Sequence, residues 1–491
     1  EPFGLIMAAS WGAIQMDWTL VFVLILVWYI LLRNWERNGV LDKWNATRVF
    51  GVILMVRSNK GLKLLDKTAK PRKFWRLYGE VSLWVCVISM LVVALVMILA
   101  FITAIISPPN TDPPSASELV AIPGINPVIP LGWGVLSFVI ALVIHEFGHG
   151  LLARAHGMRV RSFGLLQLGP LPLGAFVEPQ YEELMNAPPK ERMRMFAAGP
   201  ATNLFAAFIC LLIIGGLAGQ FVASNQNIHV RGIIQGQGAD EAGMQPWDTL
   251  QSIDGTEIEG LDGFYSIMED YSANDTVVLS VLHQDGTVEN INATFSDKYD
   301  YYIDLGWSES DLESIEISKG DPFLGIEGIN EGTAGIDRIA GPLSPRWDGN
   351  LAQKALVLPF HTLGIMIIPF ELQGVSMHPF EESLLEADDD GLASVLGKSG
   401  LLFLTNLFFW LMWVNILLGF TNLIPMVPFD GGHLFRDLLR GILKVFRRVG
   451  KKLRLGDMNP MWIEHMSSKA SSISSLVLLG MLLFILMIPY F

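Results

Sequence analysis

Long runs of apolar residues dominate the chain and are separated by shorter polar segments. A helix needs about 20 such residues to cross the ~30 Å hydrocarbon core of a bilayer. Six runs predict transmembrane helices, and they cover residues 17–33, 80–106, 131–153, 195–219, 400–427 and 470–490. A seventh apolar run, 351–370, contains two prolines, and we interpret it as lying along the outer interface or dipping into the membrane and returning.

Two other regions have a different pattern. Residues 162–178 are apolar but rich in Gly and Pro, which predicts either a re-entrant hairpin or a loop at the membrane surface. Residues 230–258 read as a strand, a short helix ending in Ala-Gly, and a second strand. Further strands are predicted at 277–282, 288–295 and 323–329, with a loop insertion at 298–320. This order resembles a PDZ domain, a fold that takes peptides by strand addition.

Composition agrees with a polytopic membrane protein. Of the 491 residues, 51% are hydrophobic and only 17% are charged, which is unusual for a soluble domain. The net charge of −14 argues against nucleic acid as a partner. Cys86 and Cys210 both lie in apolar runs, so no disulfide framework is expected. The predicted fold class is an all-α polytopic membrane protein with an extracytoplasmic α+β PDZ-like domain.

The basic residues of the connecting segments predict the orientation. Residues 34–78 hold 11 Lys and Arg against 3 acidic residues, whereas residues 220–353 hold 24 acidic residues against 5 basic ones. The first segment is therefore placed in the cytosol, and the N-terminus and the PDZ-like domain outside. The acidic run 381–391 lacks the ligand spacing of an EF-hand loop, so we expect a solvated outer loop there.

A metal-binding motif lies inside the third apolar run, where the sequence reads HEFGH. His145 and His149 are four residues apart and share one face of a helix, so both imidazoles can bind one ion. Glu146 follows the first histidine directly, as in metalloproteases where this glutamate is the general base. Charged and metal-binding side chains are costly in hydrocarbon, which makes them functional candidates.

A catalytic zinc site needs a third protein ligand and an open fourth position. Asp430 follows a segment that Pro425 and Pro428 would break, and the predicted orientation puts it at the same depth as HEFGH. His433 and Glu178 are competing third ligands, and spacing alone excludes neither of them.

These motifs resemble the site-2 protease family of intramembrane zinc metalloproteases. The resemblance rests on HEFGH at 145–149, GPATN at 199–203 and NLIPMVPFDGG at 422–432. It implies that His145, His149 and Asp430 bind Zn²⁺ and that Glu146 acts as general base and later as acid. It also implies that Asn203 and Asn422 hold the substrate backbone or the developing oxyanion, although such polar residues often only bond to each other between membrane helices.

The function that follows is hydrolysis of a peptide bond within or near a transmembrane helix of another membrane protein, as in regulated intramembrane proteolysis. The expected partners are such membrane-protein substrates, the lipid bilayer, and a peptide at the PDZ-like domain, with no nucleic acid. Two alternatives are an inactive homologue that binds membrane proteins through the PDZ-like domain, and a metal-ion transporter. The expected location is the cell membrane, with the active site towards the cytosol.

The predicted organisation divides the chain into six regions. They are the N-terminal helices and basic loop (1–110), the first half of the protease core (131–220), the PDZ-like domain (226–330), an interfacial segment with an acidic loop (351–398), the second half of the core (400–435), and a basic segment with the last span (436–491).

Overall fold

The chain folds mainly into α-helices, with a smaller share of β-strands. The computed structural model describes residues 18–59, 61–108, 113–115, 117–169, 171–225, 227–453 and 459–490. Its α-helices are α1 (Trp18–Arg37), α2 (Val40–Lys43), α3 (Leu62–Thr68), α4 (Arg72–Ile106), α5 (Leu131–Ala155), α6 (Tyr181–Asn186), α7 (Pro189–Ala218), α8 (Gly238–Glu241), α9 (Gly260–Met268), α10 (Lys298–Asp304), α11 (Glu309–Ser314), α12 (Ala334–Ala340), α13 (Leu351–Ile365), α14 (Ile368–Glu371), α15 (Pro379–Ser383), α16 (Gly391–Asn422), α17 (Asp430–Lys452) and α18 (Pro460–Met487).

The strands lie in four stretches of the chain, between residues 46 and 387. They are β1 (Ala46–Val49), β2 (Ile53–Ser58), β3 (Val160–Leu168), β4 (Leu171–Pro179), β5 (Phe221–Ala223), β6 (Ile228–Ile233), β7 (Thr249–Ile253), β8 (Thr256–Glu257), β9 (Thr276–Leu282), β10 (Val288–Thr294), β11 (Ser296–Asp297), β12 (Pro322–Phe323), β13 (Ile326–Asn330) and β14 (Leu385–Ala387).

Six helical segments of the described residues are long and apolar enough to cross a membrane, by length and composition. They are 72–106, 131–155, 189–218, 351–371, 391–422 and 460–490. Five of them contain most of a predicted span, so the expectation of a mainly helical, multi-span protein is confirmed. The sixth, 351–371, is the proline-containing run, and its interfacial position stays a prediction. The first predicted span, 17–33, forms helix α1 from Trp18 onwards, and residue 17 lies outside the described residues.

The chain divides into two compact units, of which the first comprises residues 1–211 and 407–491. This unit contains a four-stranded antiparallel sheet in the order β1-β2-β3-β4. Strands β3 and β4 form a hairpin over the segment 162–178, with Phe163 opposite Val177. Of the two alternatives, a hairpin and a surface loop, the pairing agrees with the hairpin, and its re-entrant position stays a prediction. Strands β1 and β2 come from the basic N-terminal segment, for which the sequence analysis predicted no strands.

Small residues bring helices α5 and α7 close together. A Cβ atom at Gly148 would lie 2.5 Å from the Thr202 hydroxyl and 2.8 Å from the Ala198 carbonyl oxygen, so only glycine allows this approach. A buried ion pair joins α7 to α17, because Arg192 donates to both carboxylate oxygens of Asp437 at 2.7 and 2.6 Å. These contacts fix the positions of α5 and α17 against α7, and the side chains of the candidate site lie on α5 and α17.

A non-helical turn separates α16 from α17, as Pro425 and Pro428 predicted. The turn packs directly on the two glycines that follow Asp430. A Cβ atom at Gly431 would lie 2.5 Å from the Leu423 carbonyl oxygen, and one at Gly432 would lie 2.5 Å from the backbone nitrogen of Val427. The Gly-Gly pair therefore lets the chain reverse at this point, and Asp430 becomes the first residue of α17.

The second compact unit comprises residues 212–406. Its main sheet is antiparallel, in the order β10-β9-β7-β6-β13, with β8 paired to β7. Strands β9 and β10 confirm the strands predicted at 277–282 and 288–295, and the strand predicted at 323–329 corresponds to β13. The predicted loop insertion at 298–320 is wrong in part, because it contains α10 and α11. Helix α11 begins with a capping box between Ser308 and Asp311.

The acidic run 381–391 also differs from the prediction of a solvated loop, because it contributes to α15 and β14. Glu381 is buried and accepts two hydrogen bonds from Arg338, at 2.9 and 2.5 Å. Burial alone would raise the pKa of Glu381, but His229 and Arg338 outweigh it and lower this pKa to about 2. Glu381 is thus a structural ion-pair residue.

Candidate metal centre

Three side chains from two helices meet in the C-terminal half of α5. His145 and His149 lie one turn apart on α5, and both are buried. Asp430 reaches them from the start of α17. Asp430 Oδ2 lies 3.2 Å from the Nε2 atom of each histidine, and the two Nε2 atoms are 3.1 Å apart. Three potential ligand atoms therefore form a nearly equilateral triangle.

The size of this triangle fits one zinc ion. Zinc–nitrogen and zinc–oxygen bonds of ~2.0–2.1 Å in a tetrahedron place neighbouring ligand atoms roughly 3.3–3.4 Å apart. Two imidazoles and a carboxylate are also a donor set that catalytic zinc uses while keeping a fourth position open. Within the described residues, this is the one group of three His, Cys, Asp or Glu side chains whose ligand atoms lie within 4.8 Å of one another.

The orientation of His149 is fixed by a bond on the far side of its ring. His149 Nδ1 lies 2.8 Å from the Met195 carbonyl oxygen on α7. Since a carbonyl can only accept, Nδ1 carries the proton and Nε2 presents its lone pair to the other two ligand atoms. Such an outer hydrogen bond is typical of histidines that bind a metal.

Gly199 on α7 lies against the ligand nitrogens. A Cβ atom at this position would lie 2.7 Å from His145 Nε2 and closer still to His149 Nε2. The space beside the two imidazoles therefore exists only because residue 199 has no side chain. Sequence analysis identified the GPATN motif that contains Gly199, but it assigned a role only to the asparagine.

Glu146 connects the histidine motif to the hairpin. Its Oε2 atom accepts a hydrogen bond of 2.7 Å from the backbone N–H of Val177 in β4. Because this N–H is directed at Glu146, it points away from β3, the neighbouring strand. The β4 strand thus runs alongside the residue that the sequence predicts as the base.

The structure separates the competing ligands from this group. Glu178 accepts a hydrogen bond of 2.9 Å from the Ser162 hydroxyl. The ring of His433 stacks on Phe196, with 4.7 Å between the ring centroids. Neither side chain belongs to the three-ligand group, so among the described residues the geometry favours Asp430 as the third ligand.

The two asparagines have different surroundings. Asn203 is fully buried, and neither polar atom of its amide has a hydrogen-bond partner among the described residues. Asn422 donates from Nδ2 to the Leu418 carbonyl oxygen at 3.0 Å. No bond joins the two side chains to each other, and their substrate-binding roles stay predictions.

Apolar helices of membrane-spanning length and a His-His-Asp group beside a glutamate define a membrane protein of the metalloprotease class. The model of peptidase family M50 matches residues 133–454. The chain belongs to this family, and the predicted resemblance to site-2 proteases is confirmed.

Proteins of several organisms are similar to parts of this chain. An uncharacterized protein of Methanocaldococcus jannaschii is 29% identical over 245 residues, which cover 50% of this chain and 62% of that protein. A Campylobacter jejuni protein named "Putative zinc metalloprotease" is 25% identical over 346 residues, covering 64% of this chain and 83% of the relative. A Mesorhizobium japonicum protein named in the same way is 24% identical over 361 residues, covering 63% and 88%.

Proposed function

We propose that this protein is a zinc endopeptidase that hydrolyses a peptide bond within or near a transmembrane helix of other membrane proteins. The observation that carries the proposal is the meeting of His145, His149 and Asp430 beside Glu146, on and next to helices apolar enough to span a bilayer. Such polar groups are costly at membrane depth, and a substrate bond that itself lies in the membrane gives a reason for their position.

The two histidines and Asp430 would hold the zinc ion. When bound, zinc would supply a Lewis acid and a water of lowered pKa. Glu146 takes the proton of the attacking water and passes it to the leaving amine, the usual work of a general acid–base residue. The amide of Asn203 is fully buried without a partner among the described residues, and we assign it a substrate carbonyl as its partner in the substrate complex.

A substrate helix must become extended before its backbone can be cut, because its carbonyls are tied up in helical bonds. Strand β4 is the last strand of its sheet on one side, so its outer edge can accept another strand. In an antiparallel strand, alternate residues direct their N–H and C=O to the same side. Ala175 therefore faces the same side as Val177, since the register is regular between Gly174 and Glu178.

Ala175→Pro is expected to lower substrate cleavage about 5- to 10-fold, because proline removes one outward N–H that would bind the substrate strand. Zinc content should be unchanged, since residue 175 makes no hydrogen bond to His145, His149 or Asp430. Ala175→Val is the control, because it keeps the N–H and favours a strand. Equal cleavage rates for the two variants would count against strand addition at β4.

The two alternatives receive less support. An inactive homologue would have no need for a complete set of His145, Glu146, His149 and Asp430. A transporter should carry further metal ligands along a path, and the described residues contain no second group of three.

The PDZ-like region offers its own edge strand, β13, and we propose that it binds a peptide of the substrate.

The test uses the full chain in lipid nanodiscs together with a single-span protein that carries a reporter at each end. Cleavage should stop on treatment with a zinc chelator and return on addition of zinc, because the proposed reaction needs the zinc ion that the three ligands bind. Mass spectrometry of the products should place the cut within or beside the membrane segment. Cleavage that persists in the metal-free protein would overturn the proposal.

A further inference from the structure

Helix α17 has two halves with different surroundings. The first half, which begins at the candidate ligand Asp430, is buried through Gly431, Gly432, Leu434 and Asp437. From residue 441 onwards the helix emerges from the protein. This second half carries apolar side chains that stay about half exposed in the described part of the chain.

The exposed apolar side chains form one stripe along the helix. Phe446 is 60% exposed and Leu453, just past the helix end, is 62% exposed. Ile442, Val445 and Val449 are also exposed. The spacings of three, four, seven and eleven residues from Ile442 place all five on one side of an α-helix. An apolar stripe of this length in water would be costly, which indicates an apolar neighbour.

The rest of the helix surface is strongly basic. No acidic residue lies between Asp437 and the end of the helix, whereas the basic residues of α17 are Arg436, Arg440, Lys444, Arg447, Arg448, Lys451 and Lys452. Lys444, Arg448 and Lys452 follow one another at four-residue spacing and form a row that approaches the edge of the stripe towards the end of the helix. A helix with an apolar stripe and a basic polar face is typical of segments that lie in a membrane interface.

One ion pair indicates the level at which α17 leaves the protein. Arg440 donates to Glu464 of α18 at 2.7 Å, and the segment 460–490 is apolar enough to cross a membrane. Trp462, in the first turn of α18, is about half exposed, and tryptophans at the ends of spans lie at the lipid headgroups. The exposed stripe thus begins at the membrane surface, whereas α17 itself is not among the segments long and apolar enough to cross.

We propose that residues 441–453 lie in the bilayer interface with the apolar stripe against the acyl chains, and that the basic row Lys444, Arg448 and Lys452 binds the headgroups of anionic lipids. The stripe alone would fit any lipid. The basic row, without a neighbouring acid on its helix, selects negatively charged headgroups.

Hydrogen exchange of the full chain in nanodiscs tests this inference. In discs containing phosphatidylglycerol, the amides of 441–453 should exchange at least about 10-fold more slowly than in phosphatidylcholine discs. The difference should shrink in about 0.5 M salt, where exposed charges are screened within a few ångströms. Equal exchange in the two kinds of disc would overturn the proposal. Protection that follows the number of protein copies per disc would also overturn it, because a second copy would then cover the stripe.

Two triple variants separate charge from folding. Lys444→Gln with Arg448→Gln and Lys452→Gln should abolish the difference between the two lipids. Lys444→Arg with Arg448→Lys and Lys452→Arg should keep it, because the charge is unchanged. Unaltered exchange of α5 shows that both variants fold, and native mass spectrometry should find fewer retained phosphatidylglycerol molecules on the neutral variant. An unchanged lipid difference in that variant would remove the basic row from the proposal.

Discussion

Replacing Glu146 with glutamine is expected to lower cleavage by about 10²- to 10⁴-fold, the usual contribution of a general acid–base residue. Glutamine has nearly the same shape, and its carbonyl oxygen can still accept the hydrogen bond from Val177. It cannot take a proton from water at neutral pH. Zinc content and thermal unfolding should therefore match those of the wild type, and cleavage of a single-span substrate in nanodiscs measures the loss.

Glu182→Gln is the matched control for this variant. Glu182 lies on α6 with an exposed side chain, and the same chemical change there should leave cleavage within about twofold, as for most surface substitutions. If Glu146→Gln cleaved as fast as the control, the assignment of Glu146 as the base would be wrong. If it lost zinc instead, Glu146 would contribute to zinc binding, as a ligand or through a neighbouring ligand.

The hydrogen bond between Glu146 and Val177 links the proposed base to β4, the strand to whose edge we propose that the substrate adds. A strand added to the outer edge of β4 would bring its backbone to the side on which Val177 meets Glu146. The same hairpin would then position both the base and the bond to be cut. This arrangement would give a reason for the non-helical, Gly- and Pro-rich hairpin that follows the HEFGH helix, since such backbone at membrane depth must line a site or be buried.

Local sequence patterns predicted the parts of the site that depend on short spacings. The two histidines follow from helical periodicity, and the break before Asp430 follows from the chemistry of Pro425 and Pro428. The choice of Asp430 over His433 and Glu178 was not available from spacing alone, because it depends on how two helices far apart in sequence approach each other. The resemblance to a family supplied that choice.

Contacts between distant segments account for what the sequence analysis missed. Strands β1 and β2 lie more than one hundred residues before β3, and no local signal predicts their pairing. The burial of Glu381 depends on Arg338, which lies on another element. Helix α11 is different, because the Ser308 and Asp311 capping box is a readable local signal that the loop prediction overlooked.

Gly199→Ala is expected to reduce zinc affinity at least about 100-fold, the upper end of what loss of a supporting contact costs a metal site, and to abolish cleavage with it. The added methyl group would lie 2.7 Å from His145 Nε2 and closer still to His149 Nε2, so at least one imidazole must rotate out of the triangle. Movement of α7 away from the imidazoles would instead open the close packing of α7 on α5 at Gly148. Metal content after dialysis against zinc buffers measures the effect.

Gly216→Ala on the same helix is the matched control, because a Cβ atom there would meet nothing within 4 Å. Alanine should leave zinc binding unchanged and add about 0.5–1 kcal/mol of stability, since glycine is unfavourable inside a helix. The comparison isolates the steric effect at residue 199 from the general effect of alanine on α7. If Gly199→Ala bound zinc as tightly as Gly216→Ala, the ligand nitrogens could not lie where α7 approaches them, and the arrangement of the metal centre would have to be revised.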